Sequence, residues 1–287
     1  MGYQNWPSNS GNDRVSFLVE KTHEIRNLVL ETCIGAGTGH LTSSFSCTEM
    51  LVALYYGGVL RFDPKKPEWD GRDYFVLSKG QASPALYSVL ADLGFYDKAE
   101  LKKFAQKDGI FGVHLQHSVP GVETTAGSLG LGYGVAAGMA LATRMDRKNN
   151  VTVAMLGDGE CYEGSIWETA AFVAHQRLNN LITIVDRNYM CATDFTENLI
   201  ELEPLDEKWA AFGFHVMRIN GHDMEQVCAA FEHVRGRRFT KPLVIIADTV
   251  KGQGIPSVCN HPYWHGLAPT GDFVELARKE LNKGNDR

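Results

Sequence analysis

Apolar residues along the chain gather into short runs, and longer stretches of helical periodicity separate them. The runs at YFVL (74–77), 151–156, 181–185, 214–218 and 243–249 have the length of buried strands. Helices are predicted between and before them. Phe17, Leu18, Ile25, Leu28, Val29 and Leu30 suit an amphipathic helix over Val15 to Thr32. SCTEMLVALYYGGVL reads as a helix opened by a Ser or Thr cap. SPALYSVLADLG reads as another, with Pro in its first turn and Gly at its end. Further helices are expected at about 165–178, 206–212 and 223–236.

Strands alternating with helices predict an α/β fold, a mostly parallel central sheet with helices on both faces. DPKKPEWDGRD, 63–73, reads as a surface connection. GAGTGHLTSSFS, 35–46, reads as a functional loop. TTAGSLGLGYGVAAGMALATRM, 124–145, has small residues that let backbone approach a ligand before a helix packs. Neither a repeat nor an interdomain linker stands out. The reading is a flexible arm over 1–12 and a single domain over 13–287.

Composition narrows the classes. The 287 residues are 44% hydrophobic and 22% charged, which fits a globular chain with a substantial core. A net charge of −6 without a long basic run disfavours a general nucleic-acid binder. Six cysteines without a C-x-x-C pair suggest reduced thiols. The polar MGYQNWPSNSGNDR start lacks the apolar core of a secretion signal, and no apolar stretch approaches membrane-spanning length. A cytoplasmic location is expected.

The chemistry concentrates in VTVAMLGDGECYEGSIWETAAFVAHQRLNNLITIVDRNYM, 151–190. Asp158 follows one predicted strand and Asn188 follows the next. Parallel strands joined by one helix end at the same sheet edge, where ligands of open α/β sheets bind. A carboxylate and an amide oxygen side by side suit a hard divalent cation, which takes few protein oxygens and completes its shell with phosphate and water. Gly157 and Gly159 let backbone come close, and the helix after Gly164 offers free N–H groups to an anion. Alone, Gly-Asp-Gly is ordinarily a turn. The Asn at the end of the second run makes a shared site the better reading.

At these residues the sequence resembles the thiamine-diphosphate enzymes, specifically the amino-terminal half of transketolase. TGHLTSS, RDYFVLSKGQASPALY, GVETTAGSLGLGYGVAAGMA and DTVKGQGIPSVCNHPYWHG match further segments of that family in order over about residues 15–267. The resemblance implies thiamine diphosphate held with Mg²⁺, or with another divalent cation such as Ca²⁺ or Mn²⁺. It implies that Asp158 and Asn188 coordinate the cation together with the backbone carbonyl of Met190. Gly159 would contact the diphosphate, Gly127 and Leu129 would line the cofactor, and Glu163 would couple sites across a subunit interface. His40, His117 and His265 match histidines around the reacting carbons, with His265 also near the diphosphate and His114 competing with His117. His23, His175, His215, His222 and His233 read as structural. Zinc at Cys259, His261 and His265 lacks a fourth ligand and regular spacing.

Two departures matter. Gln81 stands where the family usually has a histidine at the cofactor phosphate, and an amide donates a hydrogen bond without carrying charge. The family's pyrimidine-binding domain has no counterpart in this chain. The expectation is therefore a split transketolase, this chain supplying the diphosphate half and a second chain the pyrimidine-binding and C-terminal domains, as an α₂β₂ heterotetramer. The reaction implied is transfer of a two-carbon ketol unit from a ketose phosphate to an aldose acceptor. The alternative passes that unit to a lipoyl or acyl carrier, as dehydrogenase-type E1 components do. A third reading makes the chain a non-catalytic regulator of a transketolase.

Overall fold

The computed structural model describes residues 11–236 and 240–283. The chain runs α1 (Gly11–Ala36), α2 (Leu41–Ser46), α3 (Thr48–Tyr56), β1 (Tyr74–Leu77), α4 (Ser83–Asp92), α5 (Leu131–Met145), β2 (Thr152–Gly157), α6 (Gly164–His175) and β3 (Leu181–Arg187). It continues α7 (Thr196–Leu199), α8 (Leu205–Ala211), β4 (His215–Asn220), α9 (Met224–Gly236), β5 (Leu243–Asp248) and α10 (Phe273–Asn282). The five strands form one parallel sheet in the order β1-β2-β3-β5-β4.

Side-chain alternation along the strands feeds two apolar layers. On one face Val153, Met155, Ile182, Ile184, Leu243 and Ile245 pack with residues of α1, α3, α4 and α9. On the other, Ala154, Leu156, Leu181, Val185, Val244 and Ile246 meet Tyr133, Ala136, Ala137 and Ala140 of α5 and residues of α6 and α8. The small residues of α5 bring it against the sheet. A Cβ on Gly132 would sit 2.6 Å from the Ser78 hydroxyl. The α/β architecture is as the alternation of elements predicts.

Two segments differ from expectation. Most of the arm placed at 1–12 falls outside the described residues, and α1 already begins at Gly11. The stretch 35–46, read as a loop, contains α2, whose six residues are all buried. Polar letters hid that helix because two of its hydroxyls, on Thr42 and Ser46, bond inward. Ser46 Oγ donates to Asp186 at 2.6 Å.

Parallel pairing puts the carboxyl ends of β1, β2, β3 and β5 on one edge. Gly157 is level with Asp186, and Arg187 with Asp248. The segments that leave these four strands build the site.

Candidate active site

A cavity of about 210 Å³ opens at that edge. Asp158 and Asn188 both line it, each one residue beyond its strand. The main chain ties them together. Asp158 N donates to Asp186 O at 3.2 Å, extending the ladder past β2. Tyr189 N, the residue after Asn188, donates to Asp158 Oδ2 at 2.6 Å.

Asp158 is almost fully buried and heavily partnered. Arg187 Nη1 donates to its Oδ2 at 3.0 Å, and Gly159 N to its Oδ1 at 2.7 Å. Burial pushes its carboxyl up to about 6 against the pull of Arg187, and Asp186 adds to the rise. Arg187 is itself fixed by Glu197 at 2.7 Å and Glu203 at 3.1 Å. The Asn188 Oδ1 accepts Met190 N at 3.1 Å, so Met190 is drawn to the same edge.

Around this pair the cavity is lined by Gln81, Gly127, Leu129, Gly157, Gly159, Met190 and three histidines, His40, His114 and His265. Most of the expected site residues therefore come together. His117 and Glu163 are not among the lining. His117 is exposed, with Nδ1 3.1 Å from Val122 O, and His114 occupies the cavity wall. Glu163 is exposed at the start of α6, against Gly130, where an added Cβ would lie 2.8 Å from Glu163 Cβ.

The histidines form a cluster. His40 lies 5.2 Å from His114 and 5.1 Å from His265, ring centre to ring centre. Burial pulls His40 down to about 4 and His265 to about 3, with the charge of Lys251 acting on both; burial also lowers His114. All three are neutral near pH 7, each with one donor and one acceptor nitrogen. His40 Nδ1 is buried without a partner.

Three charged residues escaped the sequence reading. Lys79, after β1, is buried and ion-paired with Asp186, which also accepts from the Thr249 hydroxyl. Lys251, after β5, is 2% exposed, and its Nζ lies 2.7 Å from Cys191 O and 2.8 Å from His265 Nδ1. Burial, with the charge of Lys79 added, draws Lys251 down to about 8. Glu160 reaches back under the cavity. Its carboxylate accepts Gly130 N at 2.8 Å, Gly157 N at 3.1 Å and the Ser78 hydroxyl, clasping three loops. Lysines read from sequence as solvated; only the packing of four strand ends buries these two.

These residues fit a diphosphate held through a divalent cation. A carboxylate has about four lone-pair sites, so Asp158 retains an acceptor after its three bonds, and Asn188 Oδ1 retains one after its single bond. Lysine charge stands close by for an anion. Gly159 lies against Cys191 Sγ, where an added Cβ would be 2.8 Å away, so the floor has no room for a side chain. Among the described residues no three His, Cys, Asp or Glu side chains gather as a metal site. All six cysteines are unpaired. No described helix is long and apolar enough to cross a membrane.

A family model described as "Transketolase, thiamine diphosphate binding domain" matches residues 19–286. The 6-deoxy-6-sulfo-D-fructose transketolase subunit SqwG of Clostridium sp. (strain MSTE9) is 38% identical over 267 residues, covering 93% of this chain and 96% of that one. An apulose-4-phosphate transketolase chain of Phocaeicola vulgatus, likewise named as one subunit, is 34% identical over 270 residues, covering 94% and 95%. The crystal structure of a transketolase from Campylobacter jejuni superimposes with a TM-score of 0.86 at 30% identity, over 94% of this chain but 43% of that one. The chain thus spans less than half of a one-chain transketolase and nearly all of relatives named as subunits.

Proposed function

The chain belongs to the transketolase family as its thiamine diphosphate-binding part, and from that premise we propose that it is one subunit of a two-chain transketolase, moving a two-carbon ketol unit from a ketose phosphate to an aldose acceptor. The observation that carries the reading is the meeting of Asp158 and Asn188 at adjacent strand ends, inside a cavity walled by three neutral histidines.

Thiamine diphosphate, when bound, supplies a nucleophilic carbon and an electron sink for cleaving the bond beside a ketose carbonyl. The chain's own residues do the rest of the work on this side. Asp158, Asn188 and the Met190 carbonyl hold a divalent cation, Mg²⁺ or a similar hard ion. Gly159 and Gln81 face the diphosphate, and the Lys251 ammonium offsets its charge. Gly127 and Leu129 form the wall on which the cofactor rests. His40, His114 and His265 bind substrate hydroxyls, and neutral imidazoles among them move protons near the working pH.

A second chain supplies the pyrimidine half. Leu131 and Val135 on α5 and Phe172 on α6 are exposed, and this apolar face is where the partner packs in an α₂β₂ assembly. The relatives' names favour a sugar acceptor over a lipoyl or acyl carrier.

The test is reconstitution. With a candidate partner chain, cofactor and Mg²⁺, ketol transfer to an aldose phosphate is expected only when both chains are present. Asp158→Ala is expected to weaken cation-dependent cofactor binding by at least the roughly 10–100-fold that loss of an outer partner of a metal ligand costs. Full-rate transfer by this chain alone would refute the split. Modification of a lipoyl carrier instead of the sugar would install the alternative. A complex that works unchanged with Asp158→Ala would make the chain a regulator.

A further inference from the structure

Lys251 and His265 make a contact whose direction is fixed by chemistry. The Lys251 ammonium has three donors and no acceptor, so at 2.8 Å it donates to His265 Nδ1. A neutral imidazole carries one proton, and Nδ1 is already accepting. The proton therefore resides on Nε2. Among the described residues Nε2 has no hydrogen-bond partner within the chain, and His265 lines the cavity. Burial, more than any neighbour, keeps the ring neutral. Burial, the Lys251 and Lys79 ammonium groups, and the His40 and His114 rings all act against a second proton.

Lys251 is held from behind by a relay with the same logic. Val250 N donates to His222 Nε2 at 2.8 Å. His222 Nδ1 must then carry the proton, and it lies 3.0 Å from Glu49 Oε1. Arg26 completes the relay, with Nη2 2.6 Å from Glu49 Oε2. The backbone entering Lys251 is thus anchored to the buried Arg26–Glu49 ion pair. The Lys251 Nζ is fixed a second time by Cys191 O at 2.7 Å. A flexible side chain tied at its root and twice at its tip has one useful geometry.

We propose that Lys251 is a positioning residue that locks His265 as its Nε2–H tautomer, so that His265 offers the cavity a hydrogen-bond donor and no acceptor. His265 then stabilises oxygen, whether alkoxide, hydroxyl or phosphate, but takes no proton from it. Proton acceptance in the cluster falls to His40 and His114, whose ring nitrogens are not committed to a lysine. The oxygen recognised rests on the transketolase reading; the tautomer does not.

The experiment uses the full chain without cofactor or partner. Two-bond ¹H–¹⁵N correlation spectra of uniformly ¹⁵N-labelled protein at pH 7 report which nitrogen of each histidine is protonated, and His265→Gln assigns the signals. The wild type is expected to show a bare Nδ1 and a protonated Nε2 at His265. Lys251→Met is expected to release the lock, giving averaged nitrogen shifts and a rise in the pH at which His265 titrates. Lys251→Arg, also a donor without an acceptor, is expected to restore the wild-type pattern. Protonated Nδ1 in the wild type, or an unchanged tautomer in a folded Lys251→Met chain, overturns the proposal. If Lys251→Met fails to fold, the wild-type spectrum alone decides. Because no turnover is measured, failure here leaves the two-chain reading standing, and failed reconstitution leaves the tautomer standing.

Discussion

Lys79 and Asp186 form an ion pair under the cavity floor in which neither side chain is exposed beyond 1%. The lysine also donates to Ser43 O at 3.0 Å, and Ser46 and Thr249 donate to the carboxylate. Burial opposes both charges, yet each holds the other ionised: Asp186 is lowered and Lys79 raised. Removing one partner leaves an uncompensated charge in the interior. Lys79→Met is expected to cost about 3–5 kcal/mol in urea unfolding. Lys79→Met with Asp186→Leu should recover part of that loss, because the desolvation penalty leaves with the second charge. Fully additive losses in the double variant would count against a coupled pair.

The cavity wall distinguishes the two nearby histidines by position. His114 lines the cavity beside His40, whereas His117 is exposed and bonded to its own loop. In the reconstituted complex His114→Ala should lower kcat about 10²-fold or more, the usual reach of an acid–base group. His117→Ala should change it little. The reverse order would show that the partner chain reshapes this loop.

Gln81 also faces the cavity. Its amide donates a neutral hydrogen bond, so restoring an imidazole is expected to preserve or tighten cofactor affinity. Calorimetric titration of Gln81→His with thiamine diphosphate and Mg²⁺ checks this. Lost binding would mean that the pocket has been rebuilt around the amide.

Acid should loosen the cluster of Arg26, Glu49 and His222. Burial alone would raise the Glu49 carboxyl, but Arg26 and His222 outweigh it and hold it below the ordinary range. The folded value lies below the unfolded one. The pair's stabilisation is therefore complete above the unfolded carboxyl range, roughly pH 4–5, and fades as pH falls through the folded value. Urea midpoints of the wild type should fall with pH in that window. Glu49→Gln, destabilised by about 3–5 kcal/mol at neutral pH, should show a flatter profile; parallel profiles would assign the acid response elsewhere.

The strands and their carboxyl edge were legible in sequence because alternation and run length speak directly of burial on two faces. Asp158 and Asn188 were legible from that edge together with the Gly-Asp-Gly and Asp-Arg-Asn motifs that end two of its strands. The order of β4 and β5 was not legible, since nothing local tells a strand which neighbour it will pair with. Helix α2 was hidden for a different reason: its Ser and Thr letters look solvated until Asp186, 140 positions away, accepts one of them. Lys79 and Lys251 were missed likewise, their partners being set by tertiary contact. Between His114 and His117 spacing could not choose; in the fold it is His114 that lines the cavity.

Glu160 grips the N–H of Gly130, a glycine at φ +83 that opens α5, and the next residue, Leu131, stands 62% exposed. The same carboxylate grips Gly157 at the rim of the cavity. A neighbour leaning on Leu131 and a molecule resting on Gly157 thus press on two ends of one strut. By linkage, whatever either contributes to tightening that strut is returned to the other in equal measure. Loading and quaternary assembly would then be two views of a single equilibrium, each measurable through the other's midpoint.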